Sequence, residues 1–329
     1  MEERKKDHIE MAFNARTGKE EADRRFYYEP MLVPHPSGLH GNFELGGKKL
    51  SAPLWVSSMT GGTRLAGTIN RNLARACKEF GLGMGLGSCR IILNDDTYFS
   101  DFDVRALIGD QPLFANLGIA QVEEMLAAGK LPEINRLVER LQADGLIIHV
   151  NPLQEWFQPE GDRLRKAPID TVKEVLEQVP YPIIVKEVGQ GIGIKSLKTL
   201  LELPLLAVEF AAFGGTNFAK LELMRSSDAQ KELFEPLSKV GEVAGDMTDF
   251  VNRIAAEGNV KTKSLIISGG IETFLDGYYL IRKSSMPAIY GQASAFLKHA
   301  RGEYSDLQSW VRSQIKGLEM AYAYLHIRE

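Results

Sequence analysis

An α/β fold closed into a (β/α)8 barrel is what this sequence of 329 residues predicts, and two observations carry that prediction. Eight short apolar runs recur along the chain, each closing on glycine or polar residues. Most of them are separated by sequence with helical spacing. Alternating strand and helix implies a parallel sheet, and eight such units favour a closed barrel over a doubly wound open sheet.

The elements follow in order. Residues 4–16 mix basic and apolar positions at helical spacing. Arg4 and Lys5 read either as a solvated helix start or as a phosphate-gripping arm. Residues 17–50 are rich in proline and glycine, an irregular lead-in with one hairpin around Gly46-Gly47. The division expected is an N-terminal extension over 1–50 and a barrel over 51–329.

The first apolar run, Pro53–Val56, ends in Ser57-Ser58-Met59-Thr60-Gly61-Gly62, and a helix is expected over Leu65–Phe80. The second, Gly81–Leu86, ends in Gly87-Ser88-Cys89-Arg90. The third, Pro112–Ala115, ends in Asn116-Leu117-Gly118 and leads into one long amphipathic stretch, Val122–Gln142. The fourth, Leu146–Val150, gives way to His149, Asn151, Gln154 and Glu155. The fifth, Pro182–Val185, ends in Lys186-Glu187-Val188-Gly189. The sixth, Leu205–Val208, ends in Glu209 and then Phe213-Gly214-Gly215-Thr216-Asn217. Ser264–Ile267 and Pro287–Tyr290 close on Ser268-Gly269-Gly270 and Gly291-Gln292-Ala293. The longest interval, 217–263, calls for an extra helix or loop excursion, and Asp306–Leu325 for a final helix on the barrel.

Composition narrows the function. Hydrophobic residues at 44% and charged residues at 25% suit an ordinary soluble core. A net charge of −4 gives no support for a general nucleic-acid surface. Cys77 and Cys89 have neither the number nor the spacing of a disulfide framework or zinc site. No stretch reaches a membrane span, since the apolar run near Leu203–Phe213 is broken by Pro204 and Glu209. Nor does an apolar signal core follow Met1, so a cytoplasmic setting is expected.

The polar residues fall at strand carboxyl ends, where a barrel builds its active site. Two late glycine turns, Gly269-Gly270 and Gly291, suit a phosphate held by backbone N–H groups. Lys186 ends an otherwise apolar strand, which is costly without an anion or a polarised ring nearby. Thr60, Gly61, Gly62 and Ser88 could border a flat ring, and Asn116 can both donate to and accept from its edge. A phosphorylated flat cofactor is implied, and flavin mononucleotide fits that description. Arg4, Lys5, Arg90, His149, Asn151, Gln154 and Glu155 are left over. Arg and Lys suit a diphosphate, and Glu155 suits Mg²⁺ bridging its oxygens. His149 and Asn151, two apart, would share a side of an extended chain, with Gln154 and Glu155 in the loop beyond.

These pieces, in this order, resemble the FMN-dependent type 2 isopentenyl-diphosphate delta-isomerase family. They are Arg4–Ile9, Met59–Gly62, Gly87–Arg90, Asn116–Gly118, His149–Glu155, Lys186–Gly189, Gly214–Thr216 and Ser268–Ile271. The resemblance implies FMN contacts from Met59, Thr60, Gly61, Ser88, Asn116, Lys186, Thr216, Gly269, Gly270, Gln292 and Ala293. It places Arg4, Lys5, Ser88, Arg90, His149, Asn151 and Gln154 on the isoprenoid diphosphate, with Glu155 on Mg²⁺. It thereby draws the N-terminal extension into the substrate site. It implies interconversion of isopentenyl and dimethylallyl diphosphates with reduced FMN, NADPH or NADH as reductant, and a homo-oligomer, tetramer or octamer. Cys89 stands where the family usually has glutamine, and Glu272 where a basic residue often follows the glycine pair. The rival barrel chemistry, an FMN-dependent α-hydroxy-acid dehydrogenase, wants a catalytic histidine near the late strands. Only His299 and His326 follow Ser264, both past the last strand. A flavin-binding barrel without activity is the non-enzyme alternative.

Overall fold

The computed structural model describes residues 2–59 and 62–328, so Thr60 and Gly61 lie outside the described residues. Three short strands precede the barrel: β1 (Phe26–Tyr28), β2 (Phe43–Leu45) and β3 (Lys48–Leu50). The barrel strands are β4 (Leu54–Val56), β5 (Gly83–Gly85), β6 (Leu113–Gly118), β7 (Gly145–His149), β8 (Ile183–Lys186), β9 (Ala207–Glu209), β10 (Ser264–Ser268) and β11 (Ala288–Gln292). They pair in parallel in chain order, and β11 closes on β4, with Gly291 opposite Trp55. All eight apolar runs of the sequence are therefore strands of one closed barrel.

A strand turns alternate side chains to opposite faces, so each contributes inward residues two apart. The lower inward set is apolar: Trp55, Phe114, Ile147, Ile184, Ala207, Ile266 and Ile289 form one cluster. Two residues further on, the same strands carry Ser57, Asn116, His149, Lys186, Glu209, Ser268 and Gly291. This switch from apolar to polar positions the site at the carboxyl mouth. The opposite mouth is plugged by the β2–β3 hairpin, whose Leu45 and Leu50 join the inner cluster. Its turn needs left-handed backbone at Gly46 (φ 62°) and Gly47 (φ 79°), which glycine adopts without a Cβ penalty. Lys48 and Arg105 both pair with Asp144, just before β7, at 2.5 and 3.0 Å.

The single amphipathic stretch expected over Val122–Gln142 is two helices, Ile119–Ala127 and Leu131–Arg140. Gly129, at φ 68°, ends the first, and Pro132 starts the second, since proline is tolerated in a first turn. The long interval holds Phe218–Arg225 and Asp228–Ser238 before the barrel helix Ala244–Ala256. The final helix, Tyr304–Tyr324, buries Leu307, Val311, Leu318 and Ala321. It then leads into β12 (Leu325–Ile327), which pairs antiparallel with β1 and ties the two ends of the chain together.

Candidate active site at the carboxyl mouth

The polar layer is a chain of contacts around the mouth. Asn116 Nδ2 donates to the carbonyl of Leu86 at 3.0 Å, which turns its Oδ1 toward His149 Nδ1 at 2.8 Å. That amide orientation makes Nδ1 the donor and leaves Nε2 as an acceptor. Burial, then the Lys186 charge, pushes the imidazole down to about 3, so His149 is neutral near pH 7. Gly118 leaves it room, because a Cβ there would stand 3.0 Å from Nε2.

Lys186 is buried and donates to the carbonyl of Glu187 at 2.7 Å. The Glu187 carboxylate turns away and accepts from the N–H groups of Gly189, Gln190 and Gly191 at 2.6, 2.6 and 3.0 Å. It folds the loop. Burial raises its carboxyl, while those N–H groups and Lys186 act the other way.

Above this layer lies a cavity of about 600 Å³. Met59, Lys186, Thr216, Gly269, Gly270, Gln292 and Ala293 line it, all expected at a flavin site. Ser88 and Asn116 do not line it. Ser88 is exposed, and Asn116 lies below, engaged with Leu86 and His149. Two glycine turns face each other here. Gly214, Gly269 and Gly270 have φ of 110°, 87° and 69°, and a Cβ on Gly269 would fall 2.1 Å from the Ala212 carbonyl oxygen. Gln292 Nε2 donates to the carbonyl of Ile271 at 3.0 Å, and its Oε1 has no partner. Glu272 is exposed at the rim, as is Lys298. Cys89 is wholly buried with its thiol against the Gly87 carbonyl, and it does not line this cavity.

A second cavity, of about 680 Å³, is lined by Asn151 and Gln154 and shares Lys186 and Val188 with the first. Gln154 and Glu155 stand on the short helix Pro152–Phe157 rather than in a loop, because Pro152 pre-sets the helical φ at its first position. The Asn151 amide donates to Gln154 Oε1 and Glu155 Oε1, each at 3.0 Å. Glu155 Oε2 accepts from the N–H of Asp162 at 2.9 Å. Asp162 in turn pairs with Arg90 and accepts from Gln121, both at 2.8 Å. Arg90, Asn151, Gln154 and Glu155, scattered in sequence, are thus joined through Asp162. Arg4 and Lys5 stand on the exposed helix Glu2–Met11 and line neither cavity. Among the described residues no group of three His, Cys, Asp or Glu could hold a metal ion.

The sequence reading gave Asp162, Ser57, Ser268 and Glu209 no site role. For the last three a signal existed, since each lies two residues beyond an inward apolar position. Nothing in the sequence around Asp162 distinguishes it from a solvated loop aspartate. His299 is stacked on Trp310 and His326 is exposed on β12, so neither histidine reaches the mouth.

Fold and site together define a (β/α)8-barrel enzyme working at the carboxyl ends of its strands. The chain is similar in structure to a flavocytochrome b2 variant with sulfite bound, with a TM-score of 0.63 at 13% identity over 90% of this chain and 71% of that one. A mandelate oxidase variant with a monooxide FMN adduct gives 0.57 at 12%, over 92% and 88%. At such identity the likeness is one of fold. No family model matches the chain. In sequence it is 33% identical to the isopentenyl-diphosphate delta-isomerase of Rickettsia felis over 325 residues, 97% of this chain and 91% of the relative. The same enzyme of Rickettsia africae is 33% identical over 327 residues, 97% and 92%. The chain belongs to the isopentenyl-diphosphate delta-isomerase family.

Proposed function

We propose that the protein interconverts isopentenyl and dimethylallyl diphosphates, with FMN in the glycine-lined cavity and Mg²⁺ on the diphosphate. Beyond family membership, one observation supports this most: the cavity at the barrel mouth is lined by two facing glycine turns and by buried Lys186, which also borders the second cavity, between β8 and its neighbouring helices. The residues fit the cofactor. A Cβ on Gly269 would strike the Ala212 backbone, so glycine lets the two turns approach closely and border the cavity with backbone, as a phosphate cradle requires. Gln292 Oε1 and Ser58 Oγ offer unpartnered atoms to a polar ring edge. Met59, Lys186, Thr216 and Ala293 complete that site.

Reduced FMN, kept so by NADPH or NADH, supplies an electron-rich face that can exchange a proton and stabilise developing positive charge. The protein holds and orients the substrate. Glu155 would hold the Mg²⁺ that, with Arg90, would offset the diphosphate charge, a single carboxylate being ordinary for Mg²⁺ that also binds phosphate oxygens. Glu155 keeps lone pairs for the ion, since its oxygens each accept one hydrogen bond. Neutral His149, Asn151 and Gln154 position the substrate without adding a charge that would repel a cationic centre. Arg4 and Lys5 would complete the site by bringing the exposed N-terminal helix over the mouth, which also sheds water able to trap a cation. The exposed apolar residues Tyr28, Met31 and Leu32 favour association of copies into the homo-oligomer.

The test is anaerobic incubation of purified protein with FMN, NADPH, Mg²⁺ and isopentenyl diphosphate, followed by mass-resolved or NMR detection of dimethylallyl diphosphate. Flavin-loaded protein that leaves the substrate unchanged would return it to a flavin-binding barrel without this activity.

A further inference from the structure

In the polar layer Glu209 is the only carboxylate among the described residues, and it is 0% exposed. Ser268 Oγ donates to its Oε1 at 3.3 Å, and its Oε2 has no partner. Trp55 Nε1 and Ser57 Oγ, on the neighbouring side of the barrel interior, are unpartnered as well. Glu209 is the register partner of Lys186 on the next strand, and both side chains belong to the inward set. A buried carboxylate and a buried ammonium are each costly alone and tolerable together.

The other groups facing this pair carry no net charge inward. His149, from β7, is neutral near pH 7. Asn116, Ser57, Trp55 and Ser268 are uncharged. The Glu187 carboxylate lies within reach of the Lys186 charge, but three loop N–H groups already engage it on the far side. Burial raises the Glu209 carboxyl, while Lys186, Ser57, Ser268 and Trp55 favour the charged form.

We propose that Glu209 is a positioning residue: its buried carboxylate is the counter-charge that keeps Lys186 an ammonium at the floor of the cavity. Through Lys186 it sets the charge that a ligand meets there. The inference rests on the flavin reading only for FMN as a probe, and its first readout needs no ligand.

Glu209→Gln, Glu209→Asp and the double variant Glu209→Gln/Lys186→Met are compared with the parent. Without the counter-charge, an ammonium buried beside β9 is costlier to keep in the folded chain than in the unfolded one. The unfolded chain then binds more protons, so stability gained from that site rises with pH. Without ligand, the Tm of Glu209→Gln relative to the parent should climb between pH 6 and 9. The double variant should lack that climb, and Glu209→Asp should follow the parent. The FMN Kd, read by fluorescence quenching, should stay near parental at pH 6 in Glu209→Gln. By pH 9 it should weaken about tenfold, the equivalent of one pKa unit. Glu209→Gln curves that superimpose on the parent's, in Tm and in Kd, would mean a neutral Glu209 filling space, and the proposal fails. Should Glu209→Gln not fold while the double variant does, an uncompensated ammonium is the cause and the proposal stands; if neither folds, the role is structural and it falls. A parent that binds no FMN would overturn the flavin reading, while the melting curves still decide this one.

Discussion

At His149 a single side chain couples pH to the fold. Its imidazole is held at about 3, against an ordinary value near 6.5, first by burial and then by Lys186. A lowered basic group gives its full stabilisation above the unfolded value and loses it as pH falls toward the folded one. Below pH 6 the parent should therefore lose Tm faster than His149→Gln, which can still donate to Asn116. The excess is roughly 1–2 °C per pH unit, from a slope of about 1.4 kcal/mol per unit and the Tm sensitivity of a large chain. Parallel melting curves would count against a buried neutral histidine. Glu155 carries a second expectation. Glu155→Gln keeps the shape and the Asn151 contact but removes the charge, so the variant should keep its fold and flavin and need much more Mg²⁺ for its reduced maximal rate. An unchanged Mg²⁺ dependence would leave Glu155 as an anchor for Asn151 and Asp162 only. The placement of His149 and Lys186 at the mouth was legible in sequence because each is a polar residue that ends an apolar strand. Asp162 was not, since its role arises only when the loop after Pro152–Phe157 folds against Arg90 and Gln121.

At the scale of elements, the β2–β3 hairpin works as the barrel's lower plug. Leu45 is 2% exposed and packs with residues from several strands, so Leu45→Ala should leave a cavity that the closed barrel cannot collapse. The expected cost is about 2–5 kcal/mol, measured by urea unfolding, with FMN binding by the surviving folded protein little changed. A loss below about 1 kcal/mol would mean that the hairpin rests on the barrel without sealing it. The hairpin itself was readable from Gly46-Gly47, because adjacent left-handed residues demand glycine. The eight strands were readable for a related reason: a strand buried on both faces is a continuous apolar run with abrupt ends. The break in Val122–Gln142 was missed because the apolar period continues through it. Gly129 and Pro132 carried the information, and periodicity outweighed them. The β1–β12 pairing was beyond reach, since three-residue strands at opposite ends of the chain leave no local pattern.

In the whole molecule β12 pairs with β1 beside the barrel, the carboxyl mouth opens onto the glycine-lined cavity, and Lys186 borders that cavity and the one between β8 and its neighbouring helices. On the proposed reading that mouth holds a reduced cofactor against a diphosphate substrate, and neither histidine of the late sequence stands there to take a proton from an alcohol undergoing oxidation. A hydride has no acceptor in a reaction that only moves a double bond, so reducing equivalents should be needed to start turnover and not to sustain it. Under anaerobic conditions, NADPH consumed should match the flavin present rather than the product formed. One pre-reduction, by dithionite for instance, should support many turnovers with no NADPH at all. Consumption of one equivalent per product would mark an oxidoreductase and remove the isomerase reading despite the family likeness. Admitting oxygen should stop product formation as the flavin oxidises, and re-reduction should restore it without fresh protein. A rate indifferent to that cycle would mean that the barrel residues alone move the proton, with the flavin reduced to a structural filler of the cavity.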